Sequence, residues 1–155
     1  MTRYRILPLT GVALLLAGCT SHHDVFYPDN HPWRVTHIGQ ETDYELLDAV
    51  LFDSGSADIS HRAYSVIADI AVEARNRPGP VIVEGYTDTV GSAESNLELS
   101  RMRAQHVADL LVHEGIPPRR ISIHGFGETH LAVPTGDQID ERRNRRVVIR
   151  ILPPG

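Results

Sequence analysis

Val83-Glu84-Gly85-Tyr86-Thr87-Asp88-Thr89-Val90-Gly91-Ser92, followed by Asn96, Leu99-Ser100 and Arg103-Ala104, is the stretch of this chain that decides its fold. Pro80 to Tyr86 centres on Val81, Ile82 and Val83 and reads as a β-strand. Thr87 to Gly91 reads as a loop, and Ser92 as the cap of a long helix running to His113 or Glu114. Gly115 supplies the residue after that helix, and Pro117-Pro118 stops any continuation. Asp88 therefore lies at a strand end just before a helix N-terminus. Asn96 and Arg103 are seven residues apart, which puts them on nearly the same helical face, two turns from each other. An acid at the strand end and an arginine on the next helix can face one pocket. Such a pair suits a zwitterion, with an ammonium for Asp88 and a carboxylate for the planar fork of Arg103.

Outward from this centre the punctuation is regular. Leu46 to Phe52 is a short apolar run ending at the turn signal Asp53-Ser54-Gly55, and it is expected to be a strand. Ser60 can cap a helix whose apolar positions Ala63, Val66, Ile67, Ile70, Ala71 and Ala74 keep the i, i+3, i+4 period until Pro78-Gly79. Ile121 to His124 is a third strand and Val147 to Leu152 a fourth. Strand, helix, strand, helix, strand, loop, strand is an α/β layer pattern, a two-layer sandwich with helices covering one face of the sheet. No internal repeat or low-complexity tract occurs.

The N-terminal region reads differently. Met1 to Arg5 is basic, and Ile6 to Leu16 is a largely apolar run interrupted by Pro8 and Gly11. That run is shorter than the ~20 residues a bilayer-spanning helix needs. It has the form of a secretory signal. Leu16-Ala17-Gly18-Cys19 resembles the lipobox of bacterial lipoproteins, in which cleavage before the Cys is coupled to acylation of its thiol. Residues 1–18 are thus expected to be a signal peptide, 19–44 a lipidated N-terminus and tether, and 45–155 the folded domain. Thr20, in place of an Asp, favours the outer membrane. His, Asp, Asn and Pro dominate from Thr20 to about Tyr44 with no sustained period, and some 25 such residues reach about 80–90 Å when stretched.

Composition narrows the partners. The chain has 155 residues, a formal charge of −5 and a single Cys, and all 15 basic residues are Arg. Loss of Arg3 and Arg5 with the signal leaves 13 Arg against 20 acids. An acidic protein is poorly suited to nucleic acid, which demands an excess of basic groups on one face. One Cys excludes an internal disulfide and a thiolate metal cluster. The nine His, His106 and His113 included, form no convincing ligand set, so neither metal nor cofactor is expected.

Taken in order, Gly85-Tyr86-Thr87-Asp88, Gly91-Ser92, Asn96, Leu99-Ser100, Arg103-Ala104, Gly115-Ile116, Arg120-Ile121, Gly125-Phe126-Gly127-Glu128 and Asn144-Arg145-Arg146-Val147 resemble the OmpA-like peptidoglycan-binding domain family. The likeness covers about Leu46 to Ile151. It implies a βαβαββ fold, no catalytic activity, and non-covalent binding of the diaminopimelate residue of the cell-wall stem peptide. The family's acid and arginine fall on Asp88 and Arg103, and its asparagine on Asn96. Thr87 precedes the acid within the motif. The loop after the first strand falls on Asp53 to Ala57, where backbone amides can meet the ligand, and Arg145 is a further contact. One departure is Thr129-His130-Leu131-Ala132-Val133-Pro134, which lacks the Asn-Pro common at that place. The implied protein is lipid-anchored in the outer membrane, faces the periplasm, and links that membrane, or an envelope or secretion machine, to peptidoglycan.

An alternative from another class is an aspartic protease, since Val50-Leu51-Phe52-Asp53-Ser54-Gly55-Ser56 has the apolar-apolar-Asp-Ser-Gly form of such a site. That chemistry needs two carboxylates sharing a proton. Asp88-Thr89-Val90-Gly91 is no second copy, and helical periodicity follows where an all-β enzyme would continue in strands.

Overall fold

The structure is a computed structural model that describes residues 23–25, 33–52 and 59–155. Its strands are β1 (His23–Val25), β2 (Trp33–Ile38), β3 (Glu41–Leu47), β4 (Val81–Tyr86), β5 (Ile121–Gly125) and β6 (Arg146–Ile151). Its α-helices are α1 (Asp48–Leu51), α2 (His61–Asn76) and α3 (Ala93–His113). The strands form one mixed sheet in the order β1-β2-β3-β6-β4-β5, with β4 and β5 parallel and every other pair antiparallel.

Both long helices start as their sequences dictate. Ser60 and Ser92 stand in extended conformation, and each hydroxyl accepts a bond from the amide three residues on, at 3.2 Å in both cases. Gly115 ends α3 in the left-handed region, with φ +92°, which a residue bearing a Cβ adopts only at a cost. The inward stripe of α2, Ala63, Ile67, Ile70, Ala71 and Ala74, is buried against the sheet, as are Ala104, Val107, Ala108 and Leu111 of α3. Facing them are Tyr44 and Leu46 of β3, Val81 and Val83 of β4, and Val147, Ile149 and Ile151 of β6. Each fully buried Val, Leu or Ile contributes roughly 1.5–3 kcal/mol, so this single layer between helices and sheet supplies most of the driving force.

The expected strand at Leu46–Phe52 is corrected by the structure. The strand is β3, it ends at Leu47, and Asp48–Leu51 form one helical turn. The reason is burial on consecutive residues: Val50, Leu51 and Phe52 all face the core, which a strand with one covered face cannot arrange. The stretch expected to be tether is also corrected in part. Trp33–Ile38 and Glu41–Tyr44 pair as strands around the turn at Gly39, and Trp33 packs against the core. Thr42, Tyr44 and Leu46 alternate inward, a period of two hidden by the polar Thr42, whose hydroxyl accepts from the Arg77 guanidinium. Phe26 lies outside the described residues.

The sheet face away from the helices is a charged ladder. Arg150 reaches Asp43 at 3.1 Å, Glu41 at 3.3 Å and Glu84 at 3.4 Å, and Arg146 reaches Glu45 at 3.5 Å. Arg146 also lies 3.9 Å over the ring of Tyr86, which stacks on Phe126. Burial raises the Asp43 carboxyl to about 6, Arg150 opposing and the neighbouring Glu41 reinforcing the shift.

Two predictions follow from packing and charge. At Gly85, on the inner face of β4, an added Cβ would stand 2.0 Å from the Ser100 carbonyl oxygen of α3. Because a helix backbone cannot yield as a side chain does, Gly85→Ala should cost about 3 kcal/mol or more in urea unfolding. The Asp43 pKa is higher folded than unfolded, so the stability it contributes is complete below pH 4 and lost as pH rises through about 6. Discounted for solvent screening, the loss is about 1 kcal/mol. Asp43→Asn should remove that slope in unfolding curves taken between pH 4 and pH 7.

Candidate functional site

The site arises from strand order. β6 runs antiparallel between β3 and β4, and Arg146 is in register with Leu47 on one side and Tyr86 on the other. The C-terminal ends of β3 and β4 therefore meet the N-terminal end of β6. The residues just past that line are Asp48, Thr87-Asp88 and Arg145. α3 brings Arg103 and Asn96 to the same end, because glycines at 85 and 125 let its backbone lie directly on β4 and β5: a Cβ at Gly125 would come within 2.7 Å of the Arg101 amide.

The side chains form an alternating chain of charge. The Asp48 carboxylate lies 3.6 Å from Arg103 Nη2 and 3.0 Å from Arg145 Nε, in both cases through Oδ2. Arg145 Nη1 donates to Asp88 Oδ2 at 2.6 Å and also to Asp140. Asp88 is buried and its other oxygen accepts from the Val90 amide at 3.2 Å, which fixes the loop. Arg103 is only 6% exposed, stands over the ring of Phe52 at 5.1 Å, and its Nε and Nη1 are buried without a hydrogen-bond partner among the described residues. Burial lowers its pKa, Asp48 and Asp88 opposing and Arg145 adding to the fall. For Arg145 burial pulls the same way but is outweighed by the bonds to Asp88 and Asp140 and the charge of Asp48, so its pKa rises.

Asn96 and Thr87 are buried beside this chain of charge. Asn96 Nδ2 donates to the Asp88 carbonyl at 3.3 Å and to Glu128 at 2.6 Å. The Thr87 amide donates to the Gly127 carbonyl at 2.9 Å, and its hydroxyl oxygen has no partner among the described residues. The rim is the long β5–β6 connection, including the Thr129–Pro134 departure. Its anchor is Asn144, which is fully buried and both accepts from the Val133 amide at 2.8 Å and donates to the Val133 carbonyl at 2.9 Å. Thr89 secures the next segment, donating to the Gly136 carbonyl at 2.7 Å and accepting from the Ile139 amide at 3.0 Å.

Asp88, Arg103, Asn96, Thr87 and Arg145 thus come together, whereas Asp53 and Cys19 lie outside the described residues. Arg145, expected as an accessory, is the hub of the charge chain. Asp48 and Asp140 were missed. Asp48 stands 97 positions from Arg145 and is joined to it only by strand register; the sole local hint is an acid at the first position of a helical turn.

The model of the OmpA family matches residues 51–145. The chain belongs to the OmpA family. An outer membrane protein of Gluconacetobacter diazotrophicus is 37% identical over 107 residues, 64% of this chain and 28% of that one. Outer membrane protein A of Klebsiella aerogenes is 34% identical over 114 residues, 72% of this chain and 32% of that one. This chain therefore spans between 28% and 48% of the length of such curated relatives. Among solved structures, the cell wall anchor of the T6SS from Pseudomonas aeruginosa superposes with a TM-score of 0.68 at 27% identity, covering 79% of this chain and 88% of the other. The periplasmic domain of Helicobacter pylori MotB gives 0.65 at 25%, covering 76% and 80%. The peptidoglycan-associated lipoprotein of Burkholderia pseudomallei, at 24% identity and a TM-score of 0.57, covering 64% and 86%, shares the fold. The OmpA-like architecture expected of the chain, helices over one face of a mixed sheet, is the one observed. The short β1 and β2 stand before β3, the strand expected to be first.

Proposed function

We propose that this protein binds peptidoglycan without changing it covalently, taking the free amino-acid end of diaminopimelate in the pocket of Asp88 and Arg103. The observation that carries the reading is the buried Arg103 guanidinium with two unmet donors, in one charge chain with the buried Asp88 carboxylate. An ammonium would be received at Asp88 and a carboxylate at Arg103, two charge-assisted contacts of opposite sign that a neutral or singly charged ligand cannot make together. Asn96 and Thr87 keep the Asp88 loop in place, and Arg145 sets the negative charge opposite Arg103. Backbone amides of Asp53 to Ala57 complete the pocket in this reading.

The family, the outer-membrane relatives and the cell-wall anchor among the structural neighbours support a role on the periplasmic side of the outer membrane. Cys19 is the proposed acylation site, after removal of residues 1–18. With His23–Val25 already paired to β2 in the sheet, the arm between Cys19 and the fold is some four residues and spans at most about 14 Å, far less than composition implies. The domain would hold the membrane, or an envelope machine, close to the wall. The protease alternative gains nothing: Val50-Leu51-Phe52 is no strand leading into an active-site loop, and the family is OmpA.

Wild-type protein should co-sediment with purified sacculi, and Asp88→Ala and Arg103→Ala should each weaken that binding by about 2–4 kcal/mol, because the ligand's opposite charge is left unpaired. Binding undiminished in both variants, with folding verified by circular dichroism, refutes the pocket. In cells, Cys19→Ser should leave an uncleaved precursor that incorporates no labelled palmitate; normal labelling would disprove acylation at Cys19.

A further inference from the structure

Neither the family motif nor the proposed ligand accounts for Asp48 and Asp140, and of the two it is Asp48 that is largely enclosed and touches both arginines. Its carboxylate is largely buried, and one oxygen serves both arginines, at 3.0 Å from Arg145 and 3.6 Å from Arg103. Its position is set by the backbone, since the Asp48 amide donates to the Arg145 carbonyl at 3.0 Å. The contact to Arg103 is longer than a hydrogen bond. Arg103 is meanwhile more than nine-tenths buried, with Nε and Nη1 unpartnered among the described residues. A guanidinium so enclosed keeps two donors for which a carboxylate is the natural acceptor, and among the described residues the carboxylate in direct ion-pair contact with it is Asp48, with Asp88 acting from farther off.

We infer that Asp48 is an internal counter-anion that sets the pocket's selectivity, so that a carboxylate alone is rejected and a carboxylate joined to an ammonium is accepted. The inference rests on the zwitterion reading of the pocket. Around the seat stand three aspartates, 48, 88 and 140, against two arginines, 103 and 145, with Glu128 beyond Asn96. A lone anion entering this excess of negative charge meets Asp48 beside Arg103 and gains little. A ligand that brings its own cation exchanges pairs instead. Its ammonium takes a place at Asp88 beside Arg145, which remains held by Asp48 and Asp140, and its carboxylate saturates the donors of Arg103. Asp48 is therefore a specificity-determining residue that the ligand need not touch. It lowers affinity for anions in general and makes the amino group of the ligand obligatory.

The test compares acetate, a carboxylate alone, with meso-diaminopimelate, titrated into the full chain without its signal peptide and followed by the Arg103 Nε–Hε resonance. Asp48→Asn and Asp48→Ala should bind acetate at least five-fold more tightly than wild type, and the preference for diaminopimelate over acetate should fall by a similar factor. Unchanged or weaker acetate binding in both folded variants overturns the inference. Acetate gained by the variants while wild type ignores diaminopimelate would uphold the role of Asp48 and refute the peptidoglycan reading. Should either variant be marginally stable, acetate should raise its melting temperature in low salt while leaving wild type unmoved; no recovery also counts against Asp48.

Discussion

The insertion of β6 between β3 and β4, in register at Arg146, is the constraint on which the rest of the molecule depends. Antiparallel pairing on both sides forces two strand ends and one strand start to a single edge of the sheet. The pocket residues are those that follow or precede that edge by one or two positions. Shifting β6 by one residue would turn Val147, Ile149 and Ile151 out of the core and carry Arg145 to the other face, so the hydrophobic layer and the charge chain enforce the same register. The close approach of α3 at Gly85 then fixes the remaining side, since a helix held even 1 Å farther away would withdraw both Arg103 and Asn96 from the edge.

Burying such a chain of charge is not explained by stability. Replacing paired buried ions by apolar groups of similar volume is often neutral or favourable, whereas removing one partner is costly. The core of Val, Ile, Leu and Ala between helices and sheet is sufficient to hold the fold. Against that background, Arg103 with two unmet donors is a free-energy reserve: its desolvation has already been met by folding, and in the proposed binding mode a ligand carboxylate would recover it. The same applies on a smaller scale to the Thr87 hydroxyl. Buried polar groups left without partners beside the ends of the central strands are where a bound polar group would gain most.

The two long helices, β4, β5 and β6 were legible in the sequence, because caps at Ser60 and Ser92, stops at Pro78-Gly79 and Gly115, and short β-branched runs are local signals. So were Asp88 and Arg103, whose spacing is a property of one loop and one helix. The hairpin β2–β3 was not, since Thr42 is an inward polar residue, satisfied by Arg77 from another element, and interrupts the alternation a strand is recognised by. The α1 turn read as strand for the opposite reason: three consecutive apolar residues look alike in either state until burial on one side is known. Asp48 and Asp140 carry no mark of their own, and Arg145 carried only a motif, because what makes them a unit is sheet register and loop closure across the chain.

That distribution bears on how a wall-binding module would carry load. A ligand held at Asp88 and Arg103 pulls on the end of β4 and, through Arg145 and Asp48, on β6 and β3. These three strands are neighbours at the centre of the sheet, and their hydrogen bonds lie across the strand direction. Force along the strands would therefore shear many ladder bonds at once instead of peeling one edge. The edges are occupied by β5 and the three-residue β1, which contribute nothing to the charge chain. A site made at the meeting of central strands would distribute tension into the most heavily bonded part of the fold, and in the proposed binding mode the arginine hub would also be the joint through which that tension passes.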